Sequence, residues 1–553
     1  MCSLSTPAMP PTRQDPAPTV AAAVGKLQAG DAAGAAALLE AVVAREPDSG
    51  RAWRTLGQAY QASKHLDAAD TAFRRALDVE PGMPMAFFSL GVVAAMAGRH
   101  DDAFMWLTKA RDTHKIDMTQ IDVAPELAPL EGDPRFAALR PVRASFEKPF
   151  VEDVRVVFEW RGEAAGDQFG WIARNLGDVD GDAVADVVTS APSHAAGGAS
   201  AGRVYVYSSR SGRLLWTVDG KAGDQLGTGL EAAGDTNGDS IPDVIASAPG
   251  SERAFIYSGR DGTVLQTLRG ETDTEGFGSH TAGVGDLNGD HCADVIVGAP
   301  GGRAQGVATG LAYVFSGKDG GLLATLAGDH AGDAFGAAVA GHSRGPEHLI
   351  VVGAGKGGPA HAGRVYFYRN ARDKAVFTFD ADATGHALGA MFVAVPGDVD
   401  GDGVADVFAS DWSNASLGDQ TGRAYVWSGK TGRVLLTLDG QTAGEGFGTS
   451  SSVAGDVDRD GHADLVIGAW QHGGAALGGG RTSLYSGRDG QLMRTYTCRT
   501  PGDTFGFDAV TLGDIDRDGL YDFLVTSGWS GVSGHHSGRV FVISSRVPKT
   551  KEP

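Results

Sequence analysis

The pattern D-x-[DN]-x-D-x-x-x-D occurs six times in this 553-residue chain, and its spacing restricts the possible folds more than any other feature. The copies are Asp178, Asp180, Asp182 and Asp186; Asp235, Asn237, Asp239 and Asp243; Asp286, Asn288, Asp290 and Asp294; Asp398, Asp400, Asp402 and Asp406; Asp456, Asp458, Asp460 and Asp464; and Asp514, Asp516, Asp518 and Asp522. Oxygen side chains at positions 1, 3 and 5 of a tight loop converge on one point. A backbone carbonyl near position 7 joins them, and the aspartate at position 9 closes a shell of about six oxygens. Such a flexible, all-oxygen shell suits Ca²⁺, whereas Mg²⁺ demands stricter geometry and keeps more water. One loop of this kind reads equally as a solvated acidic turn; six in register do not. The sequence predicts about six structural calcium ions.

The first aspartates stand about 50 to 58 residues apart, except that the interval from Asp286 to Asp398 is twice the unit. A seventh copy lies there without its metal loop: Phe335-Gly336 opens it, Leu349-Ile-Val-Val352 is its second strand and Arg364-Val-Tyr-Phe-Tyr368 its third. At the metal position it carries His342-Ser-Arg-Gly-Pro-Glu-His348, two residues short and without aspartate, so blade four is expected to bind no calcium. Every unit reads as four strands. A Phe-Gly or Leu-Gly pair opens the first, as in Phe169-Gly170, Leu226-Gly227, Phe277-Gly278, Phe447-Gly448 and Phe505-Gly506. The acidic loop leads to a buried apolar strand such as Asp294-Val-Ile-Val-Gly-Ala-Pro300, and a third strand, a hairpin turn and an outer strand follow. Seven such units predict a seven-bladed β-propeller over residues 151–546. The last unit ends after its third strand, Arg539-Val-Phe-Val-Ile543, and residues 154–160 are expected to supply its outer strand and seal the ring.

Residues 17–114 follow a helical pattern with a 34-residue period. Trp53, Leu56, Gly57 and Tyr60 form one face of a first helix, Ala69, Phe73 and Ala76 face them from a second, and Pro81 ends it. A shift of 34 gives Phe87, Leu90, Gly91, Ala103 and Ala110, and the opposite shift gives Ala23, Ala35, Leu39 and Pro47. The segment resembles a tetratricopeptide array of about three helix pairs. That resemblance implies a groove for a peptide or a neighbouring domain, or alternatively a face packed on the propeller. Residues 115–150 are expected to be a helical cap and linker, with a capping helix near Asp133-Pro-Arg-Phe136. Residues 1–16, rich in Pro, Ser and Thr, are expected to be disordered, and 547–553 to be a tail.

The Phe-Gly opening, the acidic loop and the ending Gly298-Ala-Pro300 together resemble the FG-GAP repeats of integrin α-subunit propellers. Ser190-Ala-Pro192 and Ser247-Ala-Pro249 are close to that ending, whereas Gly468-Ala-Trp470 and Ser527-Gly-Trp529 depart from it. More copies bear a metal loop than in integrins, and neither an inserted ligand-binding domain nor a stalk or membrane span is seen. The resemblance therefore implies the propeller and its calcium sites, and not the integrin's partners.

The formal charge of −21 belongs largely to metal ligation: 22 aspartates sit in the six loops, and six Ca²⁺ would leave about −9. That acidity argues against nucleic acid or an anionic membrane surface as a partner. Glycine, at 82 residues without a Gly-X-Y period, signals many turns in an all-β domain. Cys2, Cys292 and Cys498 are too few and scattered for a disulfide framework or a zinc cluster. The N-terminus lacks the apolar run of a signal peptide and no stretch is long enough to span a membrane, which points to the cytoplasm, whereas the resemblance points to the cell surface or secretion.

A loop of this kind favours a left-handed residue at position 6. Gly403, Gly461 and Gly519 supply it in blades five to seven, against Ala183, Ser240 and His291 in blades one to three, where weaker sites are expected. On the rim opposite the metal loops, the loops between second and third strands carry Trp412, Trp470, Gln471, His472, Trp529, His535 and His536. These are candidates for contact with a protein or carbohydrate ligand, or else for packing between blades. Catalytic signals are scarce. Gly353-Ala-Gly-Lys-Gly-Gly358 matches a nucleotide loop only superficially, since a strand and no helix follows it, and H-E-x-x-H does not occur. The expected function is a non-enzymatic, calcium-binding interaction or scaffold protein. The alternatives are an enzyme with its site at the propeller centre, quinoprotein-like or a hydrolase, which inward-facing carboxylates or histidines would favour, and a purely structural assembly protein.

Overall fold

The computed structural model describes residues 18–271, 275–344, 347–371, 374–450 and 453–546; the segments read from sequence as a disordered N-terminus (1–16) and a C-terminal tail (547–553) lie outside them. The chain divides into two compact units, 1–141 and 142–553.

The first unit is helical and tetratricopeptide-like. Among the described residues its helices pair as Val20–Gln28 with Ala32–Arg45, Gly50–Ala62 with Leu66–Val79, and Pro84–Met96 with His100–Asp112. Side-chain caps start three of them: Thr19 accepts from Ala22 N, Asp31 from Gly34 N and Ser49 from Ala52 N, each satisfying an amide that the first helical turn leaves over. Pro84 opens the fifth, where a missing N–H costs nothing. The 34-residue period becomes a packing rule at Gly57, where an added Cβ would lie 2.6 Å from the Phe73 ring. The same holds one repeat on at Gly91, 2.6 Å from Leu107. The last pair is covered by a short helix, Pro134–Leu139, capped by Asp133, whose Phe136 and Leu139 pack with Leu107, Leu127 and Leu130.

The second unit is a seven-bladed β-propeller. Among the described residues its seven four-stranded antiparallel sheets follow one another around a ring. In blade one the strands run Ala173–Gly177, Asp186–Ala191, Arg203–Tyr207 and Leu214–Asp219 from the centre outwards. The second strands of blades one, two, three and seven are buried along their whole length, as expected for strands clamped between neighbouring blades. Blade four replaces the acidic loop by a continuous hairpin of Phe335–Arg344 with Glu347–Ala354. Blade seven takes its outer strand from the other end of the unit: Val156–Arg161 pairs with Arg539–Ser544, so no blade edge at the seam is left open.

The Phe-Gly signature marks the seam between blades. Leu226 of blade two lies in a parallel bridge on Gly202 of blade one, and Phe169 lies in the same way on Gly538 of blade seven. A Cβ on Gly202 would come within 2.3 Å of the Leu226 backbone, so this crossing admits only glycine. The arginine after that glycine ties the rim together: Arg203 bonds to Asp219 at 2.6 Å, Arg364 to Asp380 at 2.6 Å and Arg423 to Asp439 at 2.6 Å. In blade seven the equivalent Arg539 is fully buried against the fully buried Asp503 and also reaches Glu159 of the closing strand.

Candidate metal loops and the axial mouth

Each acidic loop joins the inner strand of its blade to the second strand, so all six open on one face of the ring. Position 6 is left-handed in every loop, with φ between +64° and +91°, whether it is Ala183, Ser240, His291, Gly403, Gly461 or Gly519. Position 4 is left-handed as well, with φ between +61° and +83°, at Gly181, Gly238, Gly289, Gly401, Arg459 and Arg517. This double turn aims successive amides at the first aspartate: Asp178 accepts from Gly181 N at 2.7 Å, Asp182 N at 3.1 Å and Ala183 N at 2.8 Å. Asp398 does the same from Gly401, Asp402 and Gly403. A left-handed residue other than glycine costs about 1–2 kcal/mol. Blades one to three bear that cost at position 6 and blades six and seven at position 4, while blade five has glycine at both.

The aspartate at position 9 is fully buried in all six loops. It accepts the amide of position 2, from Val179, Thr236, Leu287, Val399, Val457 or Ile515, at 2.7–3.0 Å. In five blades its other oxygen accepts an amide from the hairpin between third and fourth strands, at Ser209, Gly259, Gly317, Gly429 or Gly487. Asp522 Oδ1 is buried with no hydrogen-bond partner among the described residues. The reason is topological: blade seven borrows its outer strand, and among the described residues no such hairpin follows its third strand. Arg155, at the start of the closing strand, reaches Asp516 and Asp518 of this loop instead. Burial pushes the carboxyls of Asp186, Asp294 and Asp406 up to about 6 and those of Asp464 and Asp522 up to about 7, with loop aspartates adding to the rise and the accepted amides opposing it.

Three carboxylate oxygens lie within 4.8 Å of one another in four loops: Asp178, Asp180 and Asp186; Asp398, Asp400 and Asp406; Asp456, Asp458 and Asp460; and Asp514, Asp516 and Asp522. In blades two and three, where Asn237 and Asn288 stand at position 3, no three carboxylates converge so among the described residues. The donors are all oxygen, the innermost carboxylate is desolvated, and in blade seven one of its oxygens, Asp522 Oδ1, has no hydrogen-bond partner among the described residues. These residues fit a hard divalent cation.

The opposite mouth of the ring is aromatic. Trp470 and Trp529, on second-to-third strand loops, have ring centroids 5.3 Å apart. Trp529 also lies 5.5 Å from Trp171 and 4.9 Å from Phe507, residues that directly follow the Phe-Gly pairs of blades one and seven. Below them the Arg174 guanidinium, only 7% exposed, is held between Glu231, at 2.6 Å, and Asp508. Sequence reasoning found the two loop tryptophans and missed Trp171, Phe507, Arg174, Glu231 and Asp508. The available signal was an aromatic after Phe-Gly and a charged residue within an inner strand. The other expected rim residues scatter. His472 Nδ1 lies 2.8 Å from Glu445, which Arg481 also engages, and His535 stacks on His536 at 3.7 Å. Gln471 and Trp412 are half-buried.

Comparison with known families matches residues 169–207, 277–315 and 447–485 to the FG-GAP repeat. The propeller contains FG-GAP repeats. Each matched segment runs from the Phe-Gly pair to the end of the third strand, in blades one, three and six, and the structure repeats that unit in the other four. Residues 26–87 match the tetratricopeptide repeat. Among known proteins, integrin alpha-4 of Xenopus laevis is 28% identical over 200 residues, 34% of this chain and 19% of that protein. Integrin alpha-7 of Mus musculus is 32% identical over 111 residues, 19% of this chain and 9% of that protein. The chain thus aligns with under a fifth of these relatives' length, and the likeness concerns the FG-GAP propeller. No helix among the described residues is long and apolar enough to cross a membrane.

Proposed function

We propose that the chain is a calcium-stabilised interaction module. The observation that carries this reading is the fully buried ninth aspartate of each loop, which converges with two other loop carboxylates in blades one, five and seven and in blade seven has an orphaned Oδ1 on Asp522. Aspartates 1, 3, 5 and 9 of each loop, with asparagine at position 3 in blades two and three, would hold about six calcium ions; the bound ions neutralise charge that the fold has already desolvated. With a dissociation constant of about 100 µM and free calcium of about 1 mM, each site stabilises by about 1.4 kcal/mol, and six by about 8, comparable to the net stability of a domain. The rigid ring then presents its other rim, centred on Trp470 and Trp529, to a protein partner, while the tetratricopeptide repeats take a peptide or a neighbouring domain. Support comes from the integrin-like FG-GAP propeller and from the packing of the rim aromatics.

The axial mouth does contain two carboxylates, the feature that would favour an enzyme. Both carboxylates are engaged in ion pairs with Arg174, which accounts for them without a catalytic role, so binding is the better reading. The test is metal content of the purified protein with thermal melts in calcium, magnesium and excess chelator. About six calcium ions per chain and a large loss of stability on chelation are expected. Absence of calcium together with an unchanged melt would overturn the reading.

A further inference from the structure

The inner strands open at the aromatic mouth into a cavity of about 220 Å³. Residues from six of the seven blades line it, which places it on the ring axis, at the end away from the acidic loops. Its lining is two-sided. Trp171, Phe507 and Phe392 form one wall, with Phe507 5.1 Å from Trp171 and 6.0 Å from Phe392, centroid to centroid. Small residues, Ser279 of blade three and Ala337 of blade four, line the cavity on other blades. The floor is polar: Arg174 lies between Asp508 and Glu231, one cation against two carboxylates. His280 also lines the cavity, and its buried Nδ1 has no hydrogen-bond partner among the described residues. Burial, reinforced by the neighbouring Arg174, lowers the His280 pKa to about 4, so at neutral pH the ring is neutral and offers one donor and one acceptor.

These features select the guest. A purely apolar molecule would strip solvent from Arg174, Asp508 and His280 without replacing its hydrogen bonds. Within the cavity an incoming cation meets Arg174, and an incoming anion meets Asp508. A neutral ring with an apolar face and hydroxyls around its edge meets neither obstacle: the face covers the indole, and the hydroxyls both donate and accept at the floor. The volume is below the roughly 300–1,000 Å³ typical of sites for drug-sized ligands, and suits a guest of about a dozen heavy atoms. We propose that the axial cavity binds one neutral pyranose unit, its apolar face on Trp171 and Phe507 and its hydroxyls bonded to Arg174, Asp508 and His280. This goes beyond the protein-interaction reading, since it assigns a small-molecule site within the mouth whose rim that reading gives to a protein, and it does not depend on metal in the loops of the other face.

The probes are the methyl α- and β-pyranosides of glucose, galactose, mannose and their N-acetylamino counterparts, presented to the full-length protein in calcium and read by saturation-transfer NMR. N-acetyl-arginine methylamide serves as the cationic comparison. At least one pyranoside is expected to receive saturation, binding about tenfold more weakly to Trp171→Ala. Should that variant fail to fold, Ala337→Trp fills the cavity from blade four and is expected to abolish the signal. An immobilised oligosaccharide ending in the same sugar then separates the sources: tighter binding than the methyl glycoside indicates a glycan terminus, and equal binding indicates the free sugar. The proposal is overturned if no pyranoside receives saturation, if the signal survives Ala337→Trp, or if only the arginine derivative binds.

Discussion

Replacing Asp406 by alanine separates the two roles of a metal-loop aspartate. Its Oδ2 accepts the amide of Val399 at 2.7 Å and its Oδ1 that of Gly429 at 2.9 Å, and the side chain is fully buried. In the variant both amides remain buried without an acceptor, at about 1–3 kcal/mol each, so the metal-free protein should lose about 2–6 kcal/mol. Asp400, at position 3 of the same loop, is exposed and accepts only the amide of Asp402, at 3.2 Å. Its replacement by alanine should abolish metal binding at that loop yet alter metal-free stability by no more than about 0.5 kcal/mol. The assay is urea denaturation of protein stripped of metal by chelation and gel filtration. It is run at pH 4, where the Asp406 carboxyl, raised to about 6 by burial, is protonated in the fold and close to half-protonated in the unfolded chain, so charge burial contributes little. Equal midpoints for wild type and Asp406→Ala would refute the argument, because the loop would then be held together without its innermost carboxylate. Equal damage from Asp400→Ala would refute it too.

Two further outcomes follow from the same groups and from the ring seam. The position-9 carboxyls have ordinary values near 3.8 but are raised in the fold to about 6 (Asp186, Asp294, Asp406) and about 7 (Asp464, Asp522), so the metal-free folded form keeps protons that the unfolded chain has released. Their contribution to metal-free stability is complete below about pH 4 and lost as pH rises through 6–7, whereas calcium requires them ionised; the calcium-induced rise in melting temperature should therefore grow between pH 5.5 and 7.5, and melts with an equal rise at both would contradict it. At the seam, Arg539→Ala leaves Asp503 buried and unpaired and should cost about 3–5 kcal/mol in urea denaturation; adding Asp503→Asn should recover part of the loss, and no recovery would mean that the charge pair is not the cause.

Much of the architecture was legible because it rests on local physics repeated along the chain. Aspartate spacing reports a tight loop whatever surrounds it, and the doubled interval between Asp286 and Asp398 located a blade that had lost its loop. The 34-residue period placed Gly57 opposite Phe73 and Gly91 opposite Leu107, where the helices touch. Other features were out of reach for an equally physical reason. Arg459 and Arg517 stand in left-handed turns that their residue type disfavours, so the surrounding structure, and not propensity, holds them there.

The axial mouth was hidden for a different reason. Arg174, Glu231 and Asp508 come from blades one, two and seven, and Trp171 meets Trp529 across the seam of the ring. No spacing along the chain relates them, and Trp470 and Trp529 read as isolated loop residues. The sequence by itself determined the strand pattern, the acidic loops, the helical repeats and the number of blades, since each is written within one repeat of 34 or about 50–58 residues. The tertiary structure alone decided which side chains share the axis and why Asp522 lacks a second amide, because both depend on closure of the ring, which brings together residues more than 300 positions apart.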